Sequence, residues 1–235
     1  MLAAKKIGID ARMIEHSGIG VRIINLLNSL SNNKNIDIYV FGDERKLAKY
    51  NFDKKFKIVA YTTEIYSIRE FLGHRKMKEM DILDIPHFNV PIIYLNKSIV
   101  TIHDIIPWKL KEFFPSKIKR IYLWIVFHFI KYFAKKILTV SEFTKNDLIK
   151  EFKFSPEKIE VIYNGIDRIN FQLKAKSKLT QFRKKYSLPQ KYFLSVGIGK
   201  EHKNVDFIIK SLKKLWLNSK LKTALVLAGT NGEIP

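Results

Sequence analysis

The chain has 235 residues, enough for one domain with a sizeable core and part of a second. Hydrophobic residues make up 46% and aromatics 13%, which excludes a disordered protein, and their even spread excludes a coiled coil. A net charge of +21 attracts polyanions of any kind, and the absence of cysteine excludes disulfides, thiolate metal sites and cysteine nucleophiles.

Lys6 to Ala11 alternates as a short buried strand does, Gly18-Ile-Gly20 interrupts, and Ile23, Leu26, Leu27 and Leu30 recur at helical spacing. The order predicted is strand, glycine loop, helix. No apolar stretch with a cleavage site precedes that strand, so the protein is expected to stay inside the cell. Residues 36–41 and 57–61 predict two more strands, and a helical stretch follows over about 65–80. The short apolar runs 82–86 and 98–103 both end in polar residues and predict buried parallel strands that deliver loops at their carboxyl ends. A long helix over about 116–136, a strand at 137–140, a helix at 142–152 and a strand at 160–163 complete the pattern, and Asn164-Gly165 signals a turn.

Strands alternating with helices predict a doubly wound, Rossmann-like α/β domain over 1–168. The Lys-rich residues 168–178 suit a linker. Beyond it the pattern restarts: a helix to about Tyr186, a strand over 192–197, a glycine-basic loop, a helix over 205–217 and a strand over 224–228. Two strands and two helices leave long edges and an uncovered face, so 169–235 is expected to hold an incomplete second domain.

Four segments are candidates for chemistry. Gly18 and Gly20 sit where strand meets helix, so backbone N–H groups and the positive helix end can hold a phosphate; a plain tight turn is the alternative. The dinucleotide fingerprint itself is absent, because Ile23 occupies its third glycine position. His103-Asp104 ends a strand, where a histidine can donate to a sugar hydroxyl or share a developing charge; the alternative is a structural histidine with Asp104 capping the next segment. Lys200 and Lys203 flank a loop-to-helix junction suited to a pyrophosphate, with chance in a Lys-rich chain as the alternative. The helix near 117–136 is apolar nearly all round with basic ends and is shorter than the ~20 residues that span a bilayer. It reads as a core helix, or as an interfacial face on anionic lipid.

No His/Asp/Glu cluster has metal-binding spacing, and no glycine-framed serine or Walker-type loop is present. Hydrolase and phosphate-loop NTPase readings therefore lack support. Nucleic-acid binding rests on charge alone, without a helix-turn-helix, stacking motif or zinc signature.

Taken in order, Ile7-Gly-Ile-Asp-Ala-Arg12 with Ser17-Gly-Ile-Gly20, Ile85-Pro-His-Phe-Asn89, Val100-Thr-Ile-His-Asp-Ile-Ile-Pro107, Thr139-Val-Ser-Glu-Phe-Thr-Lys145, Glu157 to Asp167, and Val196-Gly197 through His202-Lys-Asn204 resemble the retaining family 4 of GT-B glycosyltransferases. The resemblance covers nearly the whole chain. It implies two Rossmann-like domains and transfer of a sugar from a nucleotide-diphosphate donor, with retention and without a metal or other cofactor, in the cleft between them. Gly18 and Gly20 match the loop facing the donor phosphates, His103 the histidine at the donor sugar, and Lys203 the lysine that offsets charge on the departing diphosphate. Where many relatives carry arginine after Gly197 this chain has Ile198, and Lys200 is the substitute, without the bidentate fork.

The members it is most similar to build surface polysaccharides, often with mannose, on glycan or lipid-linked acceptors. A cytoplasmic location at the inner face of the membrane is the corresponding expectation. Family members continue to a pair of glutamates, eight positions apart, that hold donor sugar and ribose; the sequence has no match to them. It is therefore expected to bind donor poorly as written. The rival expectation is a noncatalytic remnant or partner subunit that docks on anionic membrane.

Overall fold

The computed structural model describes residues 5–31, 36–110, 116–166, 172, 174–197, 203–218 and 223–229. The chain divides into two compact units, Met1–Asp167 and Arg168–Pro235.

In the first unit, β1 (Lys5–Asp10) leads to α1 (Ser17–Leu30), β2 (Ile36–Gly42), the short α2 (Glu44–Ala48) and β3 (Lys57–Ala60). β4 (Ile82–Ile85) and β5 (Ser98–Ile102) follow, then α3 (Ile106–Lys109), α4 (Lys117–Phe133), β6 (Lys136–Thr139), α5 (Glu142–Phe152) and β7 (Ile159–Val161). All seven strands are parallel, in the order β3-β2-β1-β4-β5-β6-β7. The order reverses between β1 and β4, and sheets wound this way take ligands in the crevice at the carboxyl ends of those two strands.

One core lies on the α1 and α2 face, with Ile9, Ile23, Leu27, Val40, Leu47 and Phe52 fully buried. The other packs Leu83, Ile85, Val100 and Ile102 against Leu123, Val126, Phe127 and Ile130 of α4. Apolar side chains on both faces of the central strands are what a parallel sheet covered on both sides requires.

The structure corrects two expectations. Gly18-Ile-Gly20 is not a loop. The chain turns earlier, with Ile14 N–H donating to Ala11 O and His16 N–H to Met13 O, so both glycines fall in the first turn of α1. There Gly20 does a packing job: a Cβ at this position would lie 2.1 Å from Ile14 O, whereas one on Gly18 would meet nothing within 4 Å. Gly20→Ala is therefore expected to destabilise the protein by about 1–3 kcal/mol, and Gly18→Ala to leave it unchanged or slightly stabler. Urea denaturation of the two variants checks this, and an equal response from both would remove the close-approach explanation.

The helical stretch predicted over 65–80 is instead two 3₁₀ turns, Ile68–Leu72 and Arg75–Glu79. Gly73 between them has φ +59, and a Cβ there would come within 2.6 Å of the Pro91 Cβ. That left-handed residue ends the first turn and precludes a continuous helix.

In the second unit, α6 (Lys176–Lys185) takes up the end of the expected linker, and β8 (Tyr192–Val196) pairs in parallel with β9 (Ala224–Ala228), with α7 (Val205–Asn218) between them in sequence. Val205 and Leu212 are its buried apolar residues among those described, while Leu194, Val196 and Phe207 are largely exposed.

Candidate functional site

The carboxyl edge at the switch point carries a buried polar network. Asp10 is the last residue of β1, and Arg12 folds back on it with Nη2 2.8 Å from Asp10 Oδ2 and Nε within 3.1 Å of both carboxylate oxygens. Arg12 also donates from Nη1 to Glu70 Oε2 (3.2 Å) and Thr63 O (3.2 Å), and from Nη2 to Asn89 O (2.9 Å). One guanidinium thus ties the loop after β1 to the loop after β4. Tyr122 of α4 donates its hydroxyl to Glu70 and accepts from Asn89 Nδ2.

His87 Nδ1 accepts from the Asn89 N–H, which places the ring proton on Nε2, 3.5 Å from Asp10 Oδ2. That separation is longer than a good hydrogen bond. Burial alone would raise the Asp10 pKa, but Arg12 and His87 outweigh it and hold the carboxyl below the usual carboxylate range. Burial likewise opposes the charge on Arg12, and Asp10 overrides it, so the guanidinium stays protonated.

His103 follows β5 at the same carboxyl edge. Its Nε2 lies 3.0 Å from Pro86 O, an acceptor only, so Nε2 carries the proton and Nδ1 keeps its lone pair. Burial, reinforced by the nearby Arg22, pulls His103 below 6.5 despite the opposing Pro86 carbonyl. The ring is therefore neutral at pH 7, and its available nitrogen accepts a hydrogen bond. Its backbone is fixed as well, because Thr144 Oγ1 donates to His103 O (2.9 Å) from the start of α5. Asp104 takes the capping role considered for it, accepting from the Ile106 N–H at 3.0 Å.

Two residues missed in the sequence adjoin this edge. Asp84 of β4 pairs in register with Ile9 and so faces α1. Burial raises its carboxyl to about 6, opposed by Arg22 of α1 and reinforced by Asp10. A carboxyl whose folded pKa exceeds its ordinary 3.8 contributes stability below that value and loses it as pH rises through about 6. Asp84→Asn should then stabilise the protein by on the order of 2 kcal/mol at pH 8 and very little at pH 4. Denaturant titrations at the two pH values decide it, and equal gains at both would show that the carboxyl is not perturbed. Arg22, the second residue, donates from Nη1 to Asn164 Oδ1 at 3.0 Å and so reaches the segment after β7.

Gly18 and Gly20 also stand at this edge, at the start of α1. Gly20 N–H is already committed to His16 O, leaving the N–H groups before it for a ligand. Lys203 belongs to the second unit and is exposed just ahead of α7, with Gly197 at φ +89 ending β8. Lys200 lies outside the described residues. Among the described residues no group of three His, Asp or Glu side chains is gathered as a metal site needs.

A doubly wound parallel sheet with a buried polar network at its switch point defines a Rossmann-like domain. The chain belongs to glycosyltransferase family 4, whose sequence profile matches residues 16–168. It is 32% identical over 134 residues to the O-antigen chain mannosyltransferase RfbU of Salmonella typhimurium, covering 57% of this chain and 33% of that protein. It is 34% identical over 88 residues to N-acetylgalactosamine-N,N'-diacetylbacillosaminyl-diphospho-undecaprenol 4-alpha-N-acetylgalactosaminyltransferase of Campylobacter jejuni, covering 37% of this chain and 22% of that one. The chain thus spans about a third or less of the length of these curated relatives.

Among solved structures, Anabaena Alr3699/HepE in complex with UDP-glucose matches with a TM-score of 0.61 at 12% identity, over 96% of this chain and 69% of that one. A glycosyltransferase from Rickettsia africae matches at 0.54 and 16%, over 97% and 69%. At such identities the likeness shows the fold, an α/β fold of the GT-B type.

Proposed function

We propose that this protein serves as a glycosyltransferase of surface polysaccharide synthesis, moving a hexose such as mannose from a nucleotide-diphosphate donor to a glycan or lipid-linked acceptor with retention. The observation that carries the reading is the family match across the domain that presents His103 at its carboxyl edge. The relatives' printed activities, O-antigen mannosyl transfer and transfer to a diphospho-undecaprenol-linked sugar, supply the substrate classes. In the proposed reaction Lys200, Lys203 and backbone N–H groups at Gly18 offset the charge of the leaving diphosphate in place of a metal or cofactor. A neutral His103 accepts a hydrogen bond from a donor-sugar hydroxyl through Nδ1.

Deleting the gene in the producing cell is expected to remove one sugar from its surface polysaccharide, as read by mass spectrometry of the repeat unit. The wild-type gene restores that sugar and the His103→Ala gene does not. An unchanged polysaccharide after deletion would overturn the proposal.

The proposed working place is the inner face of an anionic membrane. Among the described residues no helix is long and apolar enough to cross one. On α4, Leu123, Val126, Phe127 and Ile130 are core, while Ile118, Ile121, Trp124, Tyr132 and Phe133 are each at least half exposed. Its cations are Lys117, Lys119, Arg120 and Lys131, and it has no acidic residue. An exposed apolar stripe flanked by cations matches an anionic lipid surface. Vesicles containing phosphatidylglycerol should sediment the protein at low salt and release it progressively at higher salt. Ile118→Glu combined with Phe133→Glu should lower the bound fraction at least tenfold, and sedimentation unaffected by both changes would assign the contact elsewhere.

A further inference from the structure

The ring of His103 leans on the loop 86–89, through the contact of Nε2 with Pro86 O at 3.0 Å. Pro86, His87 and Asn89 are buried and Phe88 is half-buried. A buried loop has to find partners for its polar groups inside the protein. Asn89 finds three: its N–H donates to His87 Nδ1 at 3.2 Å, its carbonyl accepts from Arg12 Nη2 at 2.9 Å, and its Nδ2 donates to Tyr122 Oη at 3.2 Å. Phe88 packs edge-on against Phe127 of α4, with ring centroids 5.5 Å apart. The far end of the loop is thus clamped both by the residues after β1 and by α4.

The near end is the Pro86 carbonyl on which His103 depends. That carbonyl shares a rigid peptide plane with the His87 nitrogen, so its direction follows the backbone of His87. The His87 ring has two attachments of unequal quality. Nδ1 accepts the Asn89 N–H and closes the turn, whereas Nε2 is buried without a hydrogen-bond partner, 3.5 Å from Asp10 Oδ2. The δ edge therefore holds the turn, and the ε edge lies too far from Asp10 to do so. Thr144 fixes the backbone of His103 but not its ring. Without a fixed acceptor at Pro86 the imidazole can turn over about its outer torsion and present a proton where a lone pair is needed.

We infer that His87 is a positioning residue for His103. By closing the turn onto the Asn89 N–H it fixes the Pro86 peptide plane, and that carbonyl holds the His103 proton on Nε2 and leaves Nδ1 open at the carboxyl edge of the sheet. The inference rests on the proposed role of His103 in transfer and names what keeps that ring ready for substrate.

The test is histidine-selective ¹⁵N NMR of the 235-residue chain, whose six histidines give few enough signals for His103 to be assigned by its loss in His103→Gln. In the wild type at pH 7 the His103 Nε2 proton should be protected from exchange with water and belong to a single tautomer. His87→Asn keeps an acceptor at the δ position, so that protection should remain. His87→Gln has carbon at the δ position and its polar atoms at the ε position; the His103 proton should exchange at least ~10-fold faster, with both tautomers present. His87→Ala removes both nitrogens without adding bulk and should behave like His87→Gln. Leu27→Ala, in the core on the other face of the sheet, should lower the urea midpoint and leave the His103 signal unchanged, which separates positioning from a general loss of stability. Urea midpoints establish that each variant is folded, and the Asn variant, which keeps the turn, decides even where the other two do not fold.

Unchanged protection in folded His87→Gln or His87→Ala would overturn the inference. Loss of protection in folded His87→Asn would overturn it as well, and survival in His87→Gln alone would make the Asp10 contact the one that matters. The same loss in Leu27→Ala would reduce the effect to stability and overturn it too. The readout does not depend on sugar transfer. The expected pattern, in a protein whose gene deletion leaves the polysaccharide unchanged, would keep His87 as the residue that positions His103 and remove the transferase reading; the converse would remove the positioning role alone.

Discussion

Replacing Arg12 by Met is expected to destabilise the first unit by about 3–5 kcal/mol at pH 7, the range for removing one partner from a buried ion pair. The loss is large because the Asp10 and Glu70 side chains are both fully buried and both depend on this guanidinium, which also satisfies Thr63 O and Asn89 O. Against a typical domain stability of about 5–15 kcal/mol, such a variant stands close to unfolding.

The sign of its pH dependence follows from Asp10. Because Arg12 and His87 hold that carboxyl below its ordinary 3.8, its contribution is present above that value and fades as pH falls below it. The deficit of the variant should therefore be greatest near neutrality and shrink in acid, where the orphaned Asp10 carboxyl takes up a proton. Urea denaturation at pH 7 and pH 3 measures both. A deficit under about 1 kcal/mol at pH 7, the value of an exposed pair, would mean that water reaches the network.

This network also marks the limit of what the sequence discloses. Strands such as Ile36–Gly42 and Ser98–Ile102 are legible because alternation or a short apolar run is a local property, and α5, Glu142–Phe152, matches the helix read from the sequence to its bounds. The pairing of Arg12 with Glu70 joins residues 58 positions apart, and nothing near either of them announces it.

Residues 65–80 mislead for a related reason. Ile65, Ile68, Leu72 and Met80 mimic helical spacing, but the segment's shape is dictated by the burial of Glu70 against Arg12 and Tyr122 and by close approach at Gly73. Gly20 is misread as a loop residue because a glycine admitting a ligand and a glycine admitting the Ile14 carbonyl look identical in sequence. Part of the candidate site was legible all the same. His103 could be picked out because it ends an apolar strand, whereas Asp84 lies inside β4 and its perturbation comes from Arg22 and Asp10 on other elements.

In the proposed reaction, His103→Ala is expected to lower the rate of sugar transfer by about 10²–10³-fold, the typical loss of one preorganised hydrogen-bonding group at a reacting centre. It should cost only about 1 kcal/mol of stability, because the fold loses a single hydrogen bond to Pro86 O. The backbone anchor from Thr144 to His103 O survives the substitution. The contrast between those two magnitudes separates a residue that meets substrate from one that merely packs.

The pH profile separates them again. With Nε2–H committed to Pro86 O, His103 can accept from a sugar hydroxyl only while it is neutral, and burial keeps it neutral down to below pH 6.5. Wild-type transfer should thus be flat through neutrality and fall only in acid, below that value. The residual activity of His103→Ala should lack this acid limb. An acid limb of the same size in both proteins would assign it to another group, and near wild-type transfer by the variant would remove His103 from the site, leaving Asp84, Arg22 and the start of α1 as the groups at this edge to be tested next.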